Sequence, residues 1–197
     1  MGEVSILKAV EKEGWTVGKG EELYRRYQAG DDGGFDGLIE LYRENLIFFL
    51  LRYLPSIEDA EDAAEDAFVS LLFHPYREEK GASLKTYLFT LGRNNAMNLL
   101  KKQKRRDNFR ETSLLPLEED LAMEERLCRD ESHRRLLRAL DTLPSDYREV
   151  LYLLYFEELS LEEAAHVMKK NKKQIENLSY RGKAALREKL DKEDLFL

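Results

Sequence analysis

Cysteine is nearly missing from this chain: one residue, Cys128, among 197. A lone thiol closes no internal disulfide, so the small secreted disulfide scaffolds are excluded and a reduced, cytoplasmic setting is expected. Proline (4) and glycine (11) are scarce, too few for a turn-rich all-β fold, and long helices are permitted. No run of about 18 apolar residues exists, so no membrane insertion is expected. The first 20 residues lack the basic-then-apolar layout of a signal peptide. The three histidines, His74, His133 and His166, are scattered and make no metal-ligand spacing. A glycine-rich phosphate loop and a nucleophile motif are also missing. Catalytic residues, metal and cofactor are therefore all expected to be none, and an enzyme is not expected.

Charge is abundant but uneven. The net charge of −7 argues against a protein that coats nucleic acid by charge alone. Yet residues 101–110 and 169–189 are strongly basic, while 58–66 and 118–131 are acidic. Nearly every segment has helical periodicity. Residues 21–29 form a short helical stretch ended by the breaker Gly30-Asp31-Asp32-Gly33-Gly34. Residues 35–54 repeat at 3–4 spacing through Leu38, Leu41, Tyr42, Asn45, Phe48, Phe49 and Arg52, and Pro55 stops them. Ser56 caps a two-faced helix over 58–73, with Ala60, Ala63, Ala64, Ala67, Phe68, Leu71 and Leu72 on one stripe. Asp59, Asp62, Glu65 and Asp66 make the other stripe. Ser83 caps a long helix to about 106. Residues 107–118 break periodicity and hold Pro116, as a linker would; helix then returns from about 119 to 141. Pro144 at a first-turn position opens three more helices, over about 145–157, 160–169 and 172–189.

The last two of these make a helix-turn-helix pattern. Ser160 and Glu163 have the spacing of a capping box. On the second helix Ile175, Leu178, Ser179, Gly182, Ala185 and Leu186 share one side; Lys173, Glu176, Asn177, Tyr180 and Arg181 share the other. Arginine can bridge guanine O6 and N7, asparagine adenine N6 and N7, and glutamate can accept from cytosine N4. Lys172 and the helix N-terminus suit a phosphate. A plain solvated helix in a bundle has the same pattern, and both readings stand at this point.

The residues now become recognisable. The segments 143–190 (LPSDYREVLYLLYFEELSLEEAAHVMKKNKKQIENLSYRGKAALREKL), 30–73 and 83–106 (SLKTYLFTLGRNNAMNLLKKQKRR) resemble bacterial RNA polymerase sigma factors of the compact extracytoplasmic-function type. The resemblance implies an all-α fold of two small helical domains joined by a linker. Residues 1–19 would be an extension and 20–106 the region that docks on core polymerase and reads and melts the −10 element. Residues 107–130 would be the linker, and 131–197 the −35 reader with its helix-turn-helix. It implies core RNA polymerase (the β′ coiled coil, and β) and promoter DNA as partners, with an anti-sigma factor as a further candidate. Asp59, Glu61, Asp62, Asp66 and Phe68 match the helix that docks on polymerase; an acidic solvated face explains the carboxylates equally well. Tyr76, Tyr87, Asn94, Asn98, Lys101 and Arg105 are the −10 candidates. Most of them form one stripe in which an aromatic, amides and cations suit single-stranded DNA. Lys172, Lys173, Glu176, Asn177, Tyr180 and Arg181 are the −35 candidates.

There are departures from the family pattern. Lys169 stands where a small residue is usual in the helix-turn-helix turn, and Lys170 where an apolar one is usual. Tyr87 replaces the usual Trp, and Glu176 and Leu178 stand where basic residues are common. The alternative is a conventional helix-turn-helix regulator acting without polymerase, which leaves the 59–73 and 83–106 matches unexplained. One further expectation follows from charge: in the free state the acidic stretches fold back near the basic ones and the two domains pack together.

Overall fold

The structure is a computed structural model that describes residues 18–77, 82–107 and 131–194. The described residues form helices and connecting turns with no strand. In chain order the helices are α1 (Lys19–Gln28), α2 (Gly33–Leu50), α3 (Ile57–Phe73), α4 (Leu84–Asp107), α5 (Glu131–Asp141), α6 (Ser145–Tyr155), α7 (Leu161–Met168) and α8 (Lys172–Asp194). Residues 1–17 of the expected extension 1–19, and residues 108–130 of the expected linker, lie outside the described residues.

Local chemistry sets most of the boundaries. α1 carries Glu21 and Glu22 in its first turn and Arg25 and Arg26 in its last, in the sense the helix dipole favours. Gly30 then turns left-handed at φ 93°, and the Gly30 and Asp31 N–H groups return to the Tyr27 and Arg26 carbonyls in a Schellman closure. Ser56 caps α3 through the Asp59 N–H, and Ser83 accepts from the Thr86 N–H at the start of α4. α2 ends at Leu50, short of Pro55, and residues 51–53 finish as a turn. Pro144 is not inside α6: it occupies the cap at φ −51°, ψ 142°, and Ser145 begins the helix.

The front half, α1 to α4, packs around Leu38, Leu46, Phe49, Leu50, Leu71, Leu84 and Leu88. The alanine stripe of α3 allows a close approach to α4, close enough for the Asn95 amide to reach the Ala63 carbonyl at 3.3 Å. The back half, α5 to α8, packs around Leu140, Leu151, Leu153, Val167 and Ile175. The two halves are in contact, through residues outside the acidic and basic stretches that suggested it. Phe49 lies against Phe89 on its own side (5.2 Å between centroids) and against Tyr152 of α6 (6.0 Å).

α1 crosses α2 at Gly34. A Cβ there would stand 2.5 Å from the Leu23 carbonyl oxygen and 2.6 Å from the Tyr27 nitrogen, both backbone atoms that have no rotamer to escape into. Gly34→Ala should therefore destabilise the fold by about 1–3 kcal/mol, the range for overpacking. Urea denaturation followed by circular dichroism measures this, and a midpoint equal to wild type would refute the crossing.

Candidate nucleic-acid interface

The helix-turn-helix is built by two capping boxes. Ser160 Oγ accepts from the Glu163 N–H while Glu163 accepts from the Ser160 N–H, which starts α7. Asn171 and Gln174 exchange the same pair of bonds at 2.9 Å and start α8. Between them Lys169 adopts the left-handed conformation, φ 53°, ψ 43°. Its N–H donates to the His166 carbonyl and the Lys170 N–H to the Ala165 carbonyl. A small residue is favoured there because only glycine takes that conformation without steric penalty.

α8 rests on α6 through Gly182, where a Cβ would already press on Leu151 and Tyr147 at 3.3 Å. Its inward side is buried or half-buried at Ile175, Leu178, Ser179, Gly182, Ala185 and Leu186. Lys172, Lys173, Glu176, Asn177, Tyr180 and Arg181 are all exposed, Tyr180 to 76%. The exposed pair Lys172–Glu162, 2.6 Å apart, raises the lysine pKa and lowers that of the glutamate, chiefly through the hydrogen bond between them. A phosphate taking Lys172 must displace that carboxylate.

α4 has three faces. Leu84 and Leu88 are buried in the front-half core, with Leu91, Asn95 and Leu99 half-buried beside them. The stripe proposed for single-stranded DNA runs alongside: Tyr87 and Asn94 are half-buried, Asn98 and Lys101 exposed; the side chain of Arg105 lies outside the described residues. The Tyr87 hydroxyl donates to the His74 carbonyl at 2.9 Å, and desolvation raises its pKa. Tyr76 is a correction. It is 7% exposed, packed between Tyr24 and Tyr87, and its hydroxyl donates to the Ala82 carbonyl. It pins the loop and presents no free surface to a base.

The acidic helix α3 needs two corrections. Phe68 is 5% exposed and meets Phe35 edge-on, so it is core and not a contact. Leu72, expected inside, is exposed. Asp62 and Asp66 are exposed, Glu61 pairs with Arg43 at 3.2 Å, and half-buried Asp59 accepts from Gln103. Val69, Leu72 and Phe73 continue the exposed face toward the helix end, Phe73 to 76%.

The third face of α4 was not foreseen. Lys85, Thr86, Phe89 and Arg93 lie against the back half. Arg93 holds Glu149 with Nε–Oε1 at 2.6 Å and Nη2–Oε2 at 3.4 Å. Lys85 Nζ stands 2.9 Å from Glu157 Oε2 and donates to the Glu157 carbonyl; Asn45 donates to the same carboxylate. Arg52 pairs with Asp141. Ser83 and Thr86 donate to Glu163 Oε1 at 2.7 and 2.9 Å. Asn45 and Arg52 recur in register with the apolar stripe of α2, and Glu149 stands one turn before Tyr152 and Leu153, in register with the apolar side of α6. Those misplaced polar residues were the signal available in the sequence.

The fold and these faces define a helical DNA-binding factor of transcription. Family models for sigma-70 region 2 and sigma-70 region 4 match residues 38–106 and 133–186, together more than half of the chain. The chain belongs to the sigma-70 family, in its extracytoplasmic-function group. It resembles the RNA polymerase sigma-H factor of Pseudomonas aeruginosa (28% identity, 78% of this chain and 84% of that one). It also resembles the sigma factor SigW of Bacillus subtilis (23%, 84% and 94%). Its fold is like that of the sigma factor RpoE from Bartonella quintana, solved with the anti-sigma factor NepR (21% identity, 80% and 96% covered, TM-score 0.61). It is equally like CnrH solved with the cytosolic domain of CnrY (22%, 88% and 97%, TM-score 0.62). The chain is thus a sigma factor that directs promoter-specific initiation by RNA polymerase and catalyses no reaction of its own; the conventional-regulator reading is not favoured. No helix among the described residues is long and apolar enough to cross a membrane.

Glu163 joins a capping box to the contact between halves, and its pKa shows it. Burial pushes the carboxyl up, but hydrogen bonds from the Ser160 N–H and from the Ser83, Ser160 and Thr86 side chains outweigh burial and hold it below the ordinary value. A depressed folded-state pKa adds stability that is full above the unfolded value and lost as pH falls through the folded one. Thermal melts on acidification should therefore show wild type losing stability faster than Glu163→Gln. Parallel pH profiles would contradict the assignment.

Proposed function

We propose that residues 20–106 act as region 2 and residues 131–197 as region 4, with 107–130 as their connection, in the cytoplasm. The observation that carries this reading is the two-sidedness of α8. Its inward residues are spent on α6, and its outward residues, among them Asn177 and Arg181, have the donors and acceptors that read base edges in a major groove. This supports −35 recognition by Lys173, Glu176, Asn177, Tyr180 and Arg181, with Lys172 on phosphate. The stripe Tyr87, Asn94, Asn98, Lys101 and Arg105 is the −10 reader. Tyr87 and the amides take unstacked bases and the cations take the strand's phosphates. Tyr76 serves that face from beneath, as the pin of its loop.

Docking falls to the exposed face of α3. Asp62 and Asp66 meet basic side chains of the β′ coiled coil, and Val69, Leu72 and Phe73 extend the same face with apolar surface. Asp59 and Glu61 support it from their pairs with Gln103 and Arg43. An anti-sigma factor fits the same picture, because the sigma factors of like fold were solved with such partners.

The test separates the two surfaces. With purified core polymerase, Arg181→Ala should weaken promoter binding by about 1–3 kcal/mol and relax preference at one or two base pairs, leaving core binding intact. Asp62→Arg should weaken core binding without loss of helicity. Promoter selection and core pull-down on the same variants read these effects. An unchanged −35 motif with Arg181→Ala, or full core retention by Asp62→Arg, would overturn the assignment concerned.

A further inference from the structure

The lysines around the turn of the helix-turn-helix are not equivalent. Residues 169–173 read Lys-Lys-Asn-Lys-Lys. Lys170 is half-buried and tied to Asp146 at the start of α6, 3.2 Å away, so it anchors the turn. Lys169 and Lys173 are exposed, with no ion pair among the described residues. Lys172, on the face proposed for phosphate, is exposed but taken: its Nζ lies 2.6 Å from Glu162 Oε1. The pair spans the openings of two helices, because Glu162 is in the first turn of α7 and Lys172 begins α8. The dipole of α7 favours a carboxylate there. The Gln174 N–H is satisfied by Asn171, and the Asn171 N–H by Gln174. With those two donors spent, a phosphate at this end of α8 leans on the Lys172 ammonium.

We propose that Glu162 is an internal competitor of the DNA backbone: its carboxylate occupies the Lys172 ammonium in the free chain, and a phosphate must displace it when α8 enters the groove. This rests on the −35 reading above and deepens it. The contact is then an exchange. Lys172 gives up a carboxylate to gain a phosphate, and the released Glu162 stands close to a polyanion. An exposed pair of this kind is weak in itself, so the exchange is made less favourable without being blocked. The pair brings no net charge to the duplex, whereas an unpaired lysine would release about 0.9 counterion from the phosphate it neutralises. Phosphate contacts fix position and carry no sequence information. The competitor therefore subtracts from binding at every site about equally. Glu162 sets how strongly α8 holds DNA, and the choice of sequence is left to Asn177 and Arg181.

The test uses holoenzyme assembled from purified core polymerase and full-length chain. Affinity is read by fluorescence anisotropy on a promoter fragment selected by run-off transcription with this holoenzyme, and on the same fragment with its −35 half scrambled. Glu162→Gln, which keeps the capping box of Ser160 and Glu163, should bind both fragments several-fold more tightly. The gain should shrink about threefold between about 50 and about 200 mM salt, the share of one phosphate contact. Adding Lys172→Gln should abolish it. Unchanged affinity with Glu162→Gln would overturn the proposal. So would a gain that survives Lys172→Gln, which would make Glu162 a general repulsive charge, or a change confined to the intact −35 half, which would make it a base reader. Arg181→Ala on the same two fragments scores the −35 reading by itself: if discrimination between them stayed intact, that reading would fail whatever Glu162 did.

Discussion

Two carboxylates set the architecture of the free protein: Glu149 and Glu157, buried on the back half and neutralised by Arg93 and Lys85 of the front half. A carboxylate that far from water is costly unless a counter-charge and hydrogen bonds replace its solvation. Here those groups are supplied from elements distant in sequence. The orientation of the two halves follows, and with it the placement of Glu163 over the start of α4 and of Tyr152 over Phe49. The outward face of α8 and Asn98 and Lys101 of α4 lie outside this contact, which is why they remain exposed while the halves are joined.

The arrangement also explains how an acidic chain can work on DNA. Its basic islands are confined to α8 and the later part of α4, where they can meet phosphates. Asp141, Glu149 and Glu157 are neutralised internally by Arg52, Lys85 and Arg93, and other carboxylates are displayed on α3. Free acidic surface opposes non-specific approach to a polyanion and suits a basic protein partner.

Helices were legible wherever a period of 3.6 met a capping residue. Ser56, Ser83 and Ser160 all cap as read, and the inward and outward sets of α8 fall where the pattern places them. Periodicity was the better guide when it disagreed with family likeness. Phe68 belongs to the apolar stripe of α3 by its spacing, and it is buried, although the likeness suggested a contact. Leu72 was misplaced because it sits at the edge of the stripe in the last turn, beyond the reach of the neighbouring helices. Tyr76 could not be judged from sequence, since its surroundings, Tyr24 and Tyr87, come from two other helices. The pairing of the charges was not legible for a related reason: Arg93 and Glu149 are 56 residues apart, and no local pattern couples them, although each half shows polar residues out of place in its apolar register.

The central claim is that this chain works as the promoter-selecting subunit of RNA polymerase. Run-off transcription of fragmented genomic DNA, with purified core polymerase and purified chain, tests it most directly. The account predicts transcripts that begin at discrete sites, each preceded by the same two-part motif, and that vanish when the chain is left out. Sequence-specific binding of the chain alone to DNA, with no new transcripts when core polymerase is present, would contradict it.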